Sequence, residues 1–171
     1  QARLDLRKKL QRAIANKEFV LHFQPIVDLA SRAVVHYEAL VRWNRRNTLV
    51  MPAQFIPFAE AEGCITRIGR LVFDLAFARL RAWDGEGLAA SVSVNVSRGQ
   101  FLEADFVEDL LARAEAHGVA PDRMVLEITE SLIIADPAAV KAVLGRLIAS
   151  GFRIAVDDFG VGYSSLSALV E

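Results

Sequence analysis

Glu38, Asn95, Glu127 and Asp157 each close an apolar, strand-like segment, in HYEAL, VSVNVS, MVLEITE and IAVDDFG. Carboxylates in such surroundings are costly unless they are paired or hold a cation. Oxygen donors delivered by four separate segments therefore point to a metal site and to chemistry that uses a hard divalent ion. An all-oxygen set suits Mg²⁺, Mn²⁺ or Ca²⁺, whereas zinc recruits His or Cys. His22, His36 and His117 lie on different elements without a paired ligand spacing, and Cys64 is alone, which disfavours zinc. Asp157 and Asp158 are adjacent, so at a strand end one carboxylate can bridge two ions while its neighbour holds the second. Two such ions can activate water and stabilise the attacking and leaving oxygens of an in-line phosphoryl displacement. Gly160 and Gly162 then permit a tight loop beside them.

Each of these signals also has a plainer reading. A lone Glu at a strand end commonly serves as a cap partner or ion-pair member. Ser91, Ser93, Asn95 and Ser97 alternate as the wet face of an edge strand would. Asp157-Asp158 before Phe-Gly can be a turn or helix-capping device. Arg42-Trp43-Asn44-Arg45-Arg46 has the composition of a solvated strand exit, and Phe55, Phe58, Phe73 and Phe77 that of core.

The elements that must position these groups follow from periodicity. Leu6, Leu10 and Ile14 at four-residue spacing predict an opening amphipathic helix. Strands are predicted over 18–27 and 33–43, joined through Asp28–Arg32 as a hairpin. Pro52 opens a short helix ending near Gly63. A long helix follows, with Ile68, Leu71, Val72, Leu75, Ala78 and Ala82 expected inward and Asp84-Gly85 at its close. Regular alternation comes next: a strand at 89–97, a helix at 104–117 with Phe106, Leu110, Leu111 and Ala114 inward, and a strand at 124–129. A helix at 137–150 carries Val140, Val143, Leu144, Leu147 and Ile148 as its stripe, and a fifth strand occupies 153–157. Strands separated by amphipathic helices imply a parallel sheet with crossover connections. An open doubly wound sheet and a (β/α) barrel both fit, and both place function at the carboxyl ends of the strands. The absence of a G-x-G-x-x-G fingerprint weakens the open sheet. A full barrel takes eight strands and about 250 residues, more than the five strands expected here.

Composition narrows the function classes. The chain has 171 residues, 53% of them hydrophobic and 24% charged, which is enough for one sizeable core. A net charge of -1 argues against a nucleic-acid polymer or an anionic lipid surface as partner. It is compatible with a small anion held by a few local cations. The single Cys64 rules out an intrachain disulfide and fits a reducing compartment. No stretch approaches the roughly 20 apolar residues of a membrane span, and the N-terminus has no apolar signal core. The expected location is the cytoplasm, or the cytoplasmic part of a membrane-bound parent, with no direct membrane insertion.

Taken together, the segments resemble a known family. Tyr37-Glu38-Ala39-Leu40-Val41-Arg42-Trp43 looks like the signature of the EAL domain family, the bacterial cyclic di-GMP phosphodiesterases. The resemblance continues in order through FQPIVDL at 23–29, FIPFAEAEG at 55–63, SVNVS at 93–97, LEITES at 126–131 and VDDFGVGYSSLSAL at 156–169. It implies an α/β fold, a modified TIM-like (β/α)8 barrel whose first strand runs antiparallel to the rest, with about the first five strands in this chain. It implies hydrolysis of cyclic di-GMP to linear pGpG with Mg²⁺ or Mn²⁺. By motif, Glu38, Asn95, Glu127 and Asp157 would ligate the first ion, Asp157 would bridge, and Asp158 would hold the second. Gln24, Leu40 and Arg42 would contact the dinucleotide; the guanidinium fork of Arg42 suits a phosphate. Glu130 would steady the Asp-Asp-Phe-Gly loop. The loop after Asp158 and the helix from Ser164 imply a homodimer. Residues 1–17 would form a junction to an upstream GGDEF or sensor domain, and 18–171 an EAL domain incomplete at its C-terminal side.

This sequence departs from the family pattern in two ways. Phe23 stands where Tyr is commoner. The family's lysine strand, a further glutamate and a guanine-contacting glutamine would all fall past Glu171, so a polypeptide ending there is expected to show negligible hydrolysis. The competing expectations are a non-catalytic cyclic di-GMP receptor and an inactive, structural half-barrel.

Overall fold

The computed structural model describes residues 2–46 and 48–157, with side chains from Leu6 onward. Helix α1 (Ala2–Ala15) leads into β1 (Phe19–Val27) and β2 (Val34–Arg45). Asp28 turns the hairpin: its carboxylate accepts from both the backbone N–H and the hydroxyl of Ser31, each at 2.7 Å. A short strand β3 (Thr48–Val50) pairs with the last residues of β2. Helices α2 (Pro52–Ala61) and α3 (Ile65–Gly85) follow, then β4 (Val92–Asn95), α4 (Arg98–Phe101), α5 (Phe106–His117) and β5 (Met124–Thr129). Helices α6 (Glu130–Ala135) and α7 (Pro137–Ala149) precede β6 (Arg153–Asp157). Helix α5 closes on Gly118, whose φ of 62° lets its N–H reach back to the carbonyls of Ala114 and Glu115.

The sheet order is β1-β2-β4-β5-β6, with β3 off β2. β1 is antiparallel to β2, and the β2–β4, β4–β5 and β5–β6 pairs are all parallel. The antiparallel opening and parallel continuation are those expected of the modified barrel. The described strands number six rather than five. Three residues cannot show a period of two, so β3 carries no sequence signal, and it is entered through Arg46 at a φ of 49°. The four-residue α4 and six-residue α6 are likewise too short to show helical periodicity; α4 starts where the Ser97 hydroxyl accepts from the N–H of Gln100.

One core lies between the sheet and the helices. Val92, Val94, Met124, Leu126 and Ile128 are buried, against Phe73, Phe77, Phe101, Phe106, Leu110 and Leu147 from the helices. At its end, Trp83 of α3 meets Phe23 at 5.1 Å and Tyr37 at 4.9 Å between ring centroids. Phe55, Phe73 and Phe77 are core as expected, and Phe58 packs against it half-buried.

The inward face of α3 is turned from the expected one. Ile68, Val72, Phe73, Ala76, Phe77 and Leu80 are buried, whereas Leu75, Ala78 and Ala82 are exposed and Leu71 is only partly covered. The helix is apolar around much of its circumference, and the stripe holding two phenylalanines removes more area from water. Similarly, Leu111 of α5 and Ile148 of α7 point outward, and Val107 takes the inward place beside Leu110. Trp43 is 3% exposed and packs on Phe19 and Phe55, so the Arg42–Arg46 run is anchored at Trp43, while Asn44, Arg45 and Arg46 are exposed as a solvated exit would be.

Candidate functional site

Successive strand residues face opposite sides, so the core contacts fix which side chains are left for the other face. On β2, Tyr37, Ala39, Val41 and Trp43 turn to the helices, which sends Glu38, Leu40 and Arg42 the other way. Phe19, Leu21 and Phe23 do the same on β1 and place Gln24 beside Glu38, its register partner. Val92 and Val94 leave Ser93 and Asn95; Met124, Leu126 and Ile128 leave Glu127 and Thr129; Ile154 leaves Asp157. Seven expected site residues thus share one face: Gln24, Glu38, Leu40, Arg42, Asn95, Glu127 and Asp157.

Register shows how the oxygens are offset. Glu38 is level with Ser93, Asn95 with Glu127, and Thr129 with Asp157. Asn95 is two residues beyond Ser93, and Thr129 two beyond Glu127, so the four donors run diagonally across the sheet. The strand tilt of a barrel brings such diagonal neighbours level. The diagonal closes directly at one place: the Asn95 amide Nδ2 donates to Glu38 Oε1 at 3.0 Å. That leaves the Asn95 amide oxygen as an acceptor.

Not every donor is at a strand end. Asn95 and Asp157 are the last residues of β4 and β6, but Glu38 is well inside β2, which continues to Arg45. Pairing with β1 and β3 extends β2 past the point where the parallel part of the sheet stops. Glu130 opens α6, one residue after β5. Arg42 is half-buried, and its guanidinium donates to the carbonyl of Val41 at 2.9 Å. Asp158, Gly160, Gly162 and the helix expected from Ser164 lie outside the described residues.

Glu127 is the electrostatic centre. Burial pushes its carboxyl above the ordinary value, the Ser93 hydroxyl pulls it back, and the negative charges of Glu38 and Asp157 push it further up. A carboxyl whose ionisation is opposed by burial and by two nearby negative charges is what a bound cation relieves. Burial likewise holds the His36 imidazole below its ordinary value; Arg153 adds to this and Glu38 opposes it. Among the described residues, no three His, Cys, Asp or Glu side chains gather tightly enough to hold an ion by themselves. The donor set here includes an amide oxygen as well as carboxylates, and its chemistry fits a hard divalent ion rather than a soft one.

Because Glu127 takes its proton more readily when folded, the ion-free protein is expected to lose stability as pH rises from about 4.5 through the raised value. In chelator, Glu127→Gln should therefore melt higher than wild type at pH 7–8 and no higher at or below pH 4.5. Equal melting temperatures at pH 8 would contradict the strain assigned to this carboxylate.

Ser93 was not singled out by sequence alone, where the serine alternation resembled an edge strand. β4 is instead a central strand between β2 and β5, and Ser93 is fully buried on the face that carries the donors. Its position midway between the HYEAL and LEITE segments in space cannot be seen without knowing the strand order.

A sheet begun by an antiparallel strand and continued by parallel ones, with oxygen donors across the face away from the helices, is that of a partial α/β barrel. The chain belongs to the EAL domain family, whose pattern covers residues 7–171. It is 38% identical over 168 residues to a bifunctional diguanylate cyclase/cyclic di-GMP phosphodiesterase, MucR, of Pseudomonas aeruginosa, covering 97% of this chain and 24% of that protein. It is 36% identical to the signaling protein YkoW of Bacillus subtilis, over 95% of this chain and 20% of that one. The chain therefore spans about a quarter or less of the length of these relatives. Among solved structures, PaMucR phosphodiesterase in complex with c-di-GMP superposes with a TM-score of 0.91 at 38% identity, covering 96% of this chain and 68% of that one. The EAL enzyme Bd1971, bound to cAMP and cyclic di-GMP, gives 0.86 at 33% identity, over 99% and 48%. No helix among the described residues is long and apolar enough to cross a membrane.

Proposed function

We propose that this domain hydrolyses cyclic di-GMP to linear pGpG in a reaction that needs Mg²⁺ or Mn²⁺. The observation that carries the reading is the gathering of Glu38, Asn95, Glu127 and Asp157 on one face, with Asn95 already bonded to Glu38 and Glu127 strained by its neighbours. Similarity to a cyclic di-GMP phosphodiesterase over nearly the whole chain supplies the substrate class.

In this reading Glu38, Asn95, Glu127 and Asp157 would hold one ion, and Asp157 with Asp158 would hold a second. Bound there, the ions would supply a water that loses its proton near neutral pH and a positive field for the charge that develops on the phosphoryl oxygens. The protein's share is placement. Gln24, Leu40 and Arg42 line the same face and hold the dinucleotide, with Arg42 swinging from the Val41 carbonyl to a phosphate oxygen. Glu130 steadies the segment after Asp157. Water adds across one P–O bond, giving a 5′-phosphate on one guanosine and a free 3′-hydroxyl on the other. The protein acts on the cytoplasmic side, as a homodimer, beside a GGDEF or sensor domain.

The test is to incubate the full-length protein with cyclic di-GMP and Mn²⁺ and separate the products. Formation of pGpG, lost in chelator, is the expected result; tight binding without product would make the domain a receptor. Arg42→Ala is expected to weaken cyclic di-GMP binding by about 1.5–3 kcal/mol, the worth of a hydrogen bond to a charged group. An unchanged dissociation constant in calorimetry would make Arg42 a bystander.

A further inference from the structure

Ser93 is one of two buried polar residues among the described residues and is wholly covered, at 0% exposure, in the middle of a strand whose neighbours Val92 and Val94 are core. Its Oγ is shut off from solvent and meets no partner with full hydrogen-bond geometry among the described residues. A buried hydroxyl without a partner is unfavourable, and Ala at such a position would avoid the penalty. The surroundings show what the hydroxyl addresses. Ser93 is the register partner of Glu38 on β2, and on β5 it is level with Val125, two residues below Glu127. Asn95, two residues on, shares its face and already ties down Glu38. Glu127 stands two residues along β5 from Val125, the register partner of Ser93, and among the described residues no side-chain bond like that from Asn95 to Glu38 holds it.

We propose that Ser93 is a positioning residue for the cation site, its hydroxyl steering the Glu127 carboxylate toward the ion as Asn95 steers Glu38. The inference rests on the assignment of Glu127 as a cation ligand made above. A carboxylate ligand offers one oxygen to the ion and has another to be oriented by a donor behind it; such supporting donors set affinity without touching the ion. Ser93 is fully buried on the face that carries the donors, level with Glu38 on one neighbouring strand and two residues short of Glu127 on the other.

The probe is Mn²⁺ alone, titrated by calorimetry into the full-length protein and followed by thermal melting in chelator and in Mn²⁺. Ser93→Ala is expected to weaken Mn²⁺ binding about 10- to 100-fold, while the double variant Ser93→Ala, Glu127→Gln melts in chelator no lower than Glu127→Gln alone. Unchanged Mn²⁺ affinity would overturn the proposal. So would a weakened affinity with a double variant that melts in chelator below Glu127→Gln alone, because the hydroxyl would then be supporting the fold rather than the carboxylate. Glu127→Gln is the control: if it binds Mn²⁺ like wild type, the cation-site reading itself fails, whatever Ser93→Ala does.

Discussion

Asp157→Asn is expected to lower turnover of cyclic di-GMP by at least about a hundredfold, because even groups standing behind a ligand are worth 10- to 100-fold at metal sites. Asp157 ends β6 level with Thr129, and its charge is felt at Glu127. The substitution keeps the shape and removes the charge, so folding should survive while the shared position between two ions loses its anion. It also removes one of the two negative neighbours that raise the Glu127 carboxyl, which moves that group back toward its ordinary value. Product analysis at saturating substrate and excess Mn²⁺ is the measurement. A rate equal to wild type would remove Asp157 from the chemistry and leave the donor diagonal one member short.

Trp43→Ala is expected to cost about 3–5 kcal/mol of stability, the usual range for deleting a large buried aromatic side chain. Trp43 is 3% exposed, its ring contacts Phe19 at 6.1 Å and Phe55 at 6.2 Å, and its indole N–H donates to Glu18 at 2.9 Å. The loss would fall on the segment that carries Arg42. Chemical denaturation should show it as a lower midpoint with little change in slope. Trp43→Phe keeps part of the packing and drops the bond to Glu18, whose carboxyl is held below its ordinary value first by that bond and then by Asn16. Wild type should therefore have a small stability increment above pH 4.5 that is lost as pH falls through the lowered value, and Trp43→Phe should lack it. A midpoint for Trp43→Ala within experimental error of wild type would show that the aromatic cluster does not hold β2.

Much of this architecture was legible in the chain, and the exceptions have physical causes. The donor-bearing strands announced themselves because apolar runs ended in oxygen-bearing side chains, and their limits were found to within a few residues. The stripe on α3 was misplaced because several rotations of that helix offer apolar residues, and only the opposing sheet chooses among them. β3 and α4 were too short to have a period. The depth of Glu38 within β2 depended on pairing partners distant in sequence. Ser93 could be assigned to a strand from its alternation, but whether that strand lay at the rim or the middle of the sheet is a property of topology. The segment from Asp158 lies outside the described residues, so the second half of the proposed ligand set still stands on motif alone.

The diagonal of donors has a thermodynamic corollary. Its members come from four strands whose alignment exists only after the sheet has assembled, so an unfolded or half-assembled chain offers the ion nothing comparable. A divalent cation held there as proposed would stabilise the folded chain as well as serve the chemistry. Above its dissociation constant, each tenfold rise in free Mn²⁺ should deepen the native well by about 1.4 kcal/mol.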